Sequence, residues 1–563
     1  MKKRILSLAL ASAMALSMVA CGGNQESAAP AANDGAATTT DTAAAPEATG
    51  ELVDGKFAET RHITVEVYDR ANDGGSDVTN NKYTDYIKQG MLDKYNVEVE
   101  FVAVPRWTEV EQINNLLAAG DAPDICVTYD YATIQTYANM GGVLNLADYV
   151  DGYKSELPEL WNWLTDYNIY YDKDPNNGNL WALEAKLAVS NRIVTFIRQD
   201  WLDTLGLKAP TTTQEFEDTM IAFRDNADKL LGADASKMVP YSASYDIGWR
   251  TATLIESFID EGITDKEYYI NGYDDRKLTE NGTKEAVRLL NKWYNDGLMW
   301  KDFTLYGSGD STEDDMMKAG YVGAFTHNWD YPFRNGEDSI NHVLSSTVGE
   351  NAKFVAIDPF KNAKGNNTKF VSGPIDRKIF FPSTNDEPLA SMLYLNFISS
   401  PEVIEYLQIG DEGVTHNVLD SGAIEIVAAT GDAIQNSGFN IDYTITCNGL
   451  KLQDENKTNL SRAYSYAFND PELVQKAHEI ANTDLKVIAH ASVGEITAES
   501  GMGDVLSSQR DVVYDQAVVC KTAEFDSVWD SNLQTYLGMG GQAIMDERAS
   551  AWEATYGSSE SVQ

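Results

Sequence analysis

The parts of this chain equipped to do chemistry are one thiol and two clusters at expected strand ends. Cys21 closes the stretch Met18-Val19-Ala20-Cys21, behind a basic start, Lys2-Lys3-Arg4, and an apolar run over residues 5–20. Small or apolar residues directly before a cysteine form a bacterial lipobox: cleavage there leaves an N-terminal cysteine to carry lipid. Met18 stands where leucine is usual. The run falls short of the roughly 20 apolar residues that span a bilayer, so residues 1–20 read as a removed signal. The competing reading is an ordinary secretory signal with a cysteine near its end.

The strand-end clusters are Asp69-Arg70, after the first strand, and Tyr129-Asp130-Tyr131, after the third. Open α/β sheets bind ligands beyond such ends. Rings beside charged groups can hold a ligand by packing together with hydrogen bonds. Turn and capping chemistry accounts for Asp69 equally well.

Composition narrows the classes. With 43 basic and 86 acidic residues the formal net charge is −43, which excludes a nucleic-acid partner that would need basic patches. Six scattered histidines make no paired metal spacing, and neither a metal nor a cofactor is expected. Asp172-Lys173-Asp174-Pro175-Asn176-Asn177-Gly178 has the alternating oxygens of a calcium loop. The sixth and twelfth positions are Asn177 and Leu183, where an EF-hand wants Gly and Glu, so a polar turn is the preferred reading. Of the four cysteines, Cys126 lies in an apolar run and reads as a buried hydrophobe; pairing of Cys447 with Cys520 stays open.

The elements that must position these groups follow in order. Residues 21–58 are rich in Ala, Thr, Gly, Asp and Pro and read as a flexible tether. Alternation over 63–68 predicts a strand, 83–95 a helix, 97–104 a second strand, and Val110, Ile113, Leu116 and Leu117 one helical face ended by Gly120. A third strand follows at 125–128. Strand and helix in alternation predict a doubly wound α/β layer. A second unit starts near Arg192, with a buried strand over 193–197 and a helix capped by Thr212 with Glu215 three residues on. Helices are expected over 283–296, ended by Gly297, and around Leu393 to Ile398, closed by Ser400-Pro401.

Four ordered segments resemble the family 1 extracellular solute-binding proteins of bacterial ABC importers, in the lipoprotein subgroup related to oligosaccharide binders. They are Leu116-Leu117-Ala118-Ala119-Gly120-Asp121-Ala122-Pro123-Asp124-Ile125; residues 197–207 with Pro210-Thr211-Thr212; Lys318-Ala319-Gly320-Tyr321-Val322-Gly323-Ala324; and Gly410-Asp411-Glu412-Gly413-Val414-Thr415-His416. The resemblance implies a two-lobed periplasmic-binding-protein-like fold of type 2. Each lobe is then a sheet flanked by helices, with the ligand cleft at the hinge. Residues 59–190 with about 372–440 would form lobe 1, and 191–371 with about 441–563 lobe 2, with crossings near 189–196 and 370–381.

It implies a binding protein rather than an enzyme, held through Cys21 at the extracellular face of the cytoplasmic membrane. It would act as a monomer, capture a carbohydrate by hinge closure and deliver it to the permease of an ABC importer. Trp329, directly after the Gly-Val-Gly strand, is the expected aromatic platform, followed by Trp249 with Tyr245 in Tyr245-Asp246-Ile247-Gly248-Trp249-Arg250; core packing is the competing role for each Trp. Arg377, after the second crossing, could reach a hydroxyl or carboxylate. Arg70, Arg250 and Arg377 are the cations available for an acidic sugar. The alternatives are a secreted glycoside hydrolase, which would need two carboxylates across a cleft, and a ligand-sensing lipoprotein of the same fold.

Overall fold

The computed structural model describes residues 52–562 except 72–76, 190, 192, 275 and 308. The signal over 1–20, Cys21, the tether over 21–51, and Arg192 lie outside the described residues. The last stretch read as tether is structured instead: Leu52–Val53 pair antiparallel with Lys56–Phe57, and the apolar Phe57 ring is buried in the first core.

Alternation builds the first sheet. Strand β1 (Arg61–Asp69) buries Ile63, Val65 and Val67. Helix α1 (Lys82–Tyr95) follows, opened by Asn81 and Thr84, whose side chains cap each other's backbone. Strand β2 (Val97–Pro105) buries Val97, Val99 and Phe101 and exposes Glu98 and Glu100, the pattern of a strand covered on one face. It lies parallel to β1 along its whole length, from Arg61 opposite Val97 to Asp69 opposite Pro105. Helix α2 (Glu109–Ala119) ends at Gly120, whose φ of 73° is a left-handed cap open to glycine. Strand β3 (Cys126–Thr128) sits on the other side of β1, joined by a parallel bridge between Val65 and Ile125. Helix α3 (Tyr131–Asn139) leaves its end, and strand β4 (Leu183–Leu187) comes later in the chain.

The second sheet has four strands. β5 (Ile193–Arg198) precedes helix α4 (Thr213–Asp225), and strand β6 (Val239–Ser242) precedes the short helix α5 (Ile247–Arg250). Helix α6 (Thr283–Asn295) and helix α7 (Thr312–Lys318) lead to strand β7 (Val322–Asn328) and strand β8 (Phe354–Ile357). The order is β8-β5-β7-β6, with β6 and β7 parallel and the other pairs antiparallel.

The chain then returns. Strand β9 (Lys369–Val371) is followed by strand β10 (Ile375–Phe380), which enters the first sheet between β3 and β4. Helix α8 (Pro388–Ile398) is buried at every residue from Leu389 to Ile398, as a helix apolar all round must be. Strand β11 (Cys447–Asn448) adds to β4, and strand β12 (Leu485–Val487) pairs with β9. Helix α9 (Gly503–Val519) lies near the C-terminus.

Two large cores result, and the fold is two-lobed. One draws on residues from Phe57 to Ala185, Ile379 to Leu407 and Tyr443 to Cys447; the other on Val194 to Phe370 and Val474 to Ile544. Cys126 and Trp201 are both core residues. Cys126, Cys447 and Cys520 are all free thiols. Among the described residues no helix is long and apolar enough to cross a membrane.

At the start of α4, Thr212 Oγ1 accepts the Glu215 N–H at 3.1 Å, while Glu215 reaches back to Thr211 rather than to Thr212. Thr212→Ala should therefore lower stability by about 1 kcal/mol. Urea unfolding at constant slope would measure it, and an unmoved midpoint would remove that cap from the account.

Candidate functional site

Strands β1, β2 and β3 end on the same side of the first sheet, and the residues just past them meet. Tyr68 and Tyr129 stack with centroids 6.5 Å apart and planes 14° from parallel. The Arg106 guanidinium lies 4.5 Å from the Tyr129 ring centroid, 5.1 Å from that of Tyr68 and 5.5 Å from that of Trp107. Trp107 is 52% exposed. Burial pushes the Glu66 carboxyl well above the usual carboxylate range, and that of Glu109 upward despite Arg106 nearby.

The sequence-expected residues at this edge have defined partners. Arg70 makes a bidentate pair with Asp442, Nε to Oδ2 at 2.6 Å and Nη2 to Oδ1 at 2.8 Å. Asp69 accepts the Ala71 N–H at 2.8 Å, closing a turn. Asp130 caps α3, accepting from Ala132 N–H at 3.0 Å and the Thr133 hydroxyl at 2.9 Å. Arg377 is fully buried below them. Its Nε donates to the Ile445 carbonyl, its Nη2 to those of Ile441, Thr444 and Cys447, and its Nη1 stands 3.9 Å from Asp442.

The second sheet has its own aromatic edge, past β6 and β7. Tyr245 stacks on Trp249 at 6.4 Å, and Trp249 meets His327 edge-on at 4.7 Å. His327 in turn stacks on Tyr331 at 3.4 Å. Burial, with Arg250 and Arg334 nearby, keeps the imidazole neutral by pushing its pKa well below the usual value. The Asn328 N–H donates to Nδ1, so the proton sits on Nε2, which has no partner. Arg250 is 1% exposed and grips Glu313 with two bonds, 2.7 and 2.9 Å, while Nη1 also donates to Ser244 Oγ. Trp329 is 7% exposed, its ring edge-to-face with Tyr466 and His478 inside the second core.

The two edges touch at a few points. The Trp107 ring lies against Gly309, just before α7. The Asp130 carboxylate lies against Gly503 at the start of α9, and Asn139 donates to Glu495 at 2.9 Å. The structure thus gathers Asp69, Arg70, Tyr129 and Asp130 on one edge and Tyr245 and Trp249 on the other; Arg377 is buried among the carbonyls of 441–447, and Trp329, expected as a platform, is packed into the second core because Tyr466 and His478 close over its ring. Sequence reasoning passed over Arg106 and Trp107. The strand-end rule applied to the first and third strands holds equally for the second, which ends at Pro105.

The segment read as a polar turn is one. Asp174 accepts the Asn176 N–H and Asn177 the Asn179 N–H, each at 2.8 Å. Among the described residues no group of three His, Cys, Asp or Glu side chains is placed to hold a metal ion.

Residues 82–425 match the family described as bacterial extracellular solute-binding protein. Among curated proteins the chain is 23% identical, over 57% of its length, to the polygalacturonan/rhamnogalacturonan-binding protein YtcQ of Bacillus subtilis (strain 168), and the match spans 61% of that relative. Among solved structures it resembles the alginate-binding protein AlgQ2 without calcium ion, with a TM-score of 0.61 at 16% identity, covering 88% of this chain and 98% of that one. FusA of S. pneumoniae in complex with kestose gives 0.60 at 14% identity, covering 88% and 99%. At these identities the structures establish the fold.

Breaking the buried Arg250–Glu313 pair should be costly. Glu313→Ala leaves a buried guanidinium unpaired and should destabilise the protein by about 3–5 kcal/mol. Burial alone would raise the Glu313 pKa, but Arg250 holds it below the usual value. The pair's contribution is therefore full above the unfolded carboxylate value and is lost as pH falls through the lower folded value. Chemical denaturation at neutral pH and below about pH 5 tests both; a loss under 1 kcal/mol would contradict this account.

Proposed function

Because this chain belongs to the bacterial extracellular solute-binding protein family, we propose that it captures an oligosaccharide between its lobes and delivers it to the permease of an ABC importer. The observation that carries the reading is an aromatic cluster on each sheet edge: Trp107 and Tyr129, both lying against the Arg106 guanidinium, on one, and Tyr245 stacked on Trp249 on the other. Rings of this kind stack on the C–H faces of pyranoses, and the polar groups between them fix orientation. Relatives named for binding polygalacturonan and alginate support a carbohydrate ligand.

The ligand residues in this reading are Trp107, Arg106, Tyr129, Asp130, Asp69 and Arg70 from one lobe and Tyr245 and Trp249 from the other. Arg377 supports them through Asp442. Lobe 1 comprises 59–190 with about 372–440 and lobe 2 191–371 with the C-terminal part; the packing of Phe57, and of Tyr443, Ile445 and Cys447, in the first core extends lobe 1 back to about residue 52 and on to about residue 448. Closure of the lobes on the sugar biases an open–closed equilibrium that the permease reads. The protein binds without turnover, acts as a monomer, and is tethered through a lipid on Cys21. Cys21→Ser should release it from the membrane fraction, and continued membrane retention would count against the anchor.

A thermal-shift screen of residues 52–563, which keep the core residue Phe57, against oligosaccharides, peptides and metal ions tests the main reading. A ligand at 100 times its dissociation constant stabilises by about 2.7 kcal/mol, a readable shift. Trp107→Ala and Trp249→Ala should each weaken sugar binding by about 1–3 kcal/mol in titration calorimetry. Unchanged affinity in both would remove the platforms, and release of reducing sugar from a glycan would overturn binding without turnover.

A further inference from the structure

We propose that Arg106 anchors a carboxylate of the ligand, so that the cleft selects an acidic, uronate-type oligosaccharide over a neutral one. The inference rests on the glycan-binding reading and names the substrate class for it.

The arginines expected from sequence to serve an acidic sugar are occupied within the protein. Arg70 spends its fork on Asp442, Arg250 on Glu313, and Arg377 on backbone carbonyls. Arg106 differs from all three. Its Nε is buried without a partner, and its nearest carboxylate is that of Glu109 at 3.8 Å, beyond hydrogen-bonding distance. Glu109 is itself 5% exposed and accepts the Tyr129 N–H at 3.2 Å.

Three rings wall the guanidinium of Arg106 at 4.5–5.5 Å. Ring faces attract the cation and exclude water, but they offer no lone pairs to its N–H groups. One donor of the fork, Nε, is thus buried and unfilled, while the rest of the guanidinium, 22% exposed, has no acceptor within hydrogen-bonding distance among the described residues and stays open to a ligand. An unpaired buried donor is unfavourable, and a ligand that brings the acceptor relieves it. A planar carboxylate matches that fork with two parallel charge-assisted bonds, whereas a sugar hydroxyl fills it singly and without charge.

Placement links this anchor to the sugar ring. Trp107 is the next residue along the chain and is 52% exposed. One uronate unit could stack on Trp107 while its carboxylate meets Arg106. The body of the protein, at −43, repels anions at a distance. Selection for one must then come from a close, largely buried cation, which salt screens less than a surface charge.

The test is titration calorimetry of the full chain with short oligogalacturonides and alginate oligomers, each beside its twin with the carboxyls reduced to primary alcohols. Wild type should bind at least one acidic form about 10–100-fold more tightly than its reduced twin. Arg106→Gln should bring that ratio towards one, and Arg106→Lys, which keeps the charge but not the fork, should leave an intermediate ratio. Equal binding of the twins by wild type, or a ratio that survives Arg106→Gln, overturns the proposal and leaves glycan binding standing. Binding of no acidic or neutral glycan, with a response to a peptide instead, would bring down both. If circular dichroism shows Arg106→Gln unfolded, the wild-type ratio and Arg106→Lys decide.

Discussion

Asp442 holds the strand-end edge of the first sheet together. Its side chain has no solvent exposure, and it faces Arg70 on one side and Arg377 on the other, with the Asn436 amide at 3.2 Å. A carboxylate so deeply buried is tolerable only when its charge is matched and its lone pairs are filled. Meeting that requirement fixes three distant pieces of chain. Arg70 brings the end of β1, Arg377 brings β10, and Asp442 brings the turn-rich segment that carries β11. Tyr68 and Tyr129 stack beside this node, and their rings hold the Arg106 guanidinium in place.

The second lobe solves the same problem with Arg250 and Glu313. Glu313 accepts from Ser242 and Ser244 as well as from Arg250, so its donors come from both β6 and α5. The paired charges make a rigid floor under Tyr245, Trp249 and His327. In both lobes strong ionic pairing lies underneath and aromatic surface lies on top. This arrangement fixes the rings of each edge against one another.

Local physics made much of the scaffold legible in sequence. The alternation over Val97, Val99 and Phe101, the stop at Gly120 and the cap at Thr212 each depend on neighbours a few residues away. The edge residues Asp69, Arg70, Tyr129 and Asp130 were found by a rule about strand ends, and that rule needs only correct strands. What sequence could not supply was who pairs with whom. Arg70 and Asp442 are 372 positions apart, and nothing near Arg70 announces that its charge is spent. Trp329 sits beside the expected motif, yet Tyr466 and His478, more than a hundred positions on, close over its ring. Arg106 was overlooked for the opposite reason: its interest lies in bonds it does not make. Cys21 and the signal before it remain sequence readings, outside the described residues.

The return of β10 and β11 to the first sheet has a consequence for how the protein is made. β3 and β4 have no common neighbour until residues 375–380 have been synthesised, and β4 lacks its outer partner until 447–448 follow. During most of translation the first lobe is therefore an unfinished sheet with open edges. Closing it requires pairing across nearly two hundred residues, a slow step by the entropy of so large a loop. A nascent chain that cannot complete its first lobe early stays open until the last strands are made. The same delay leaves open edges to be shielded until the last strands arrive.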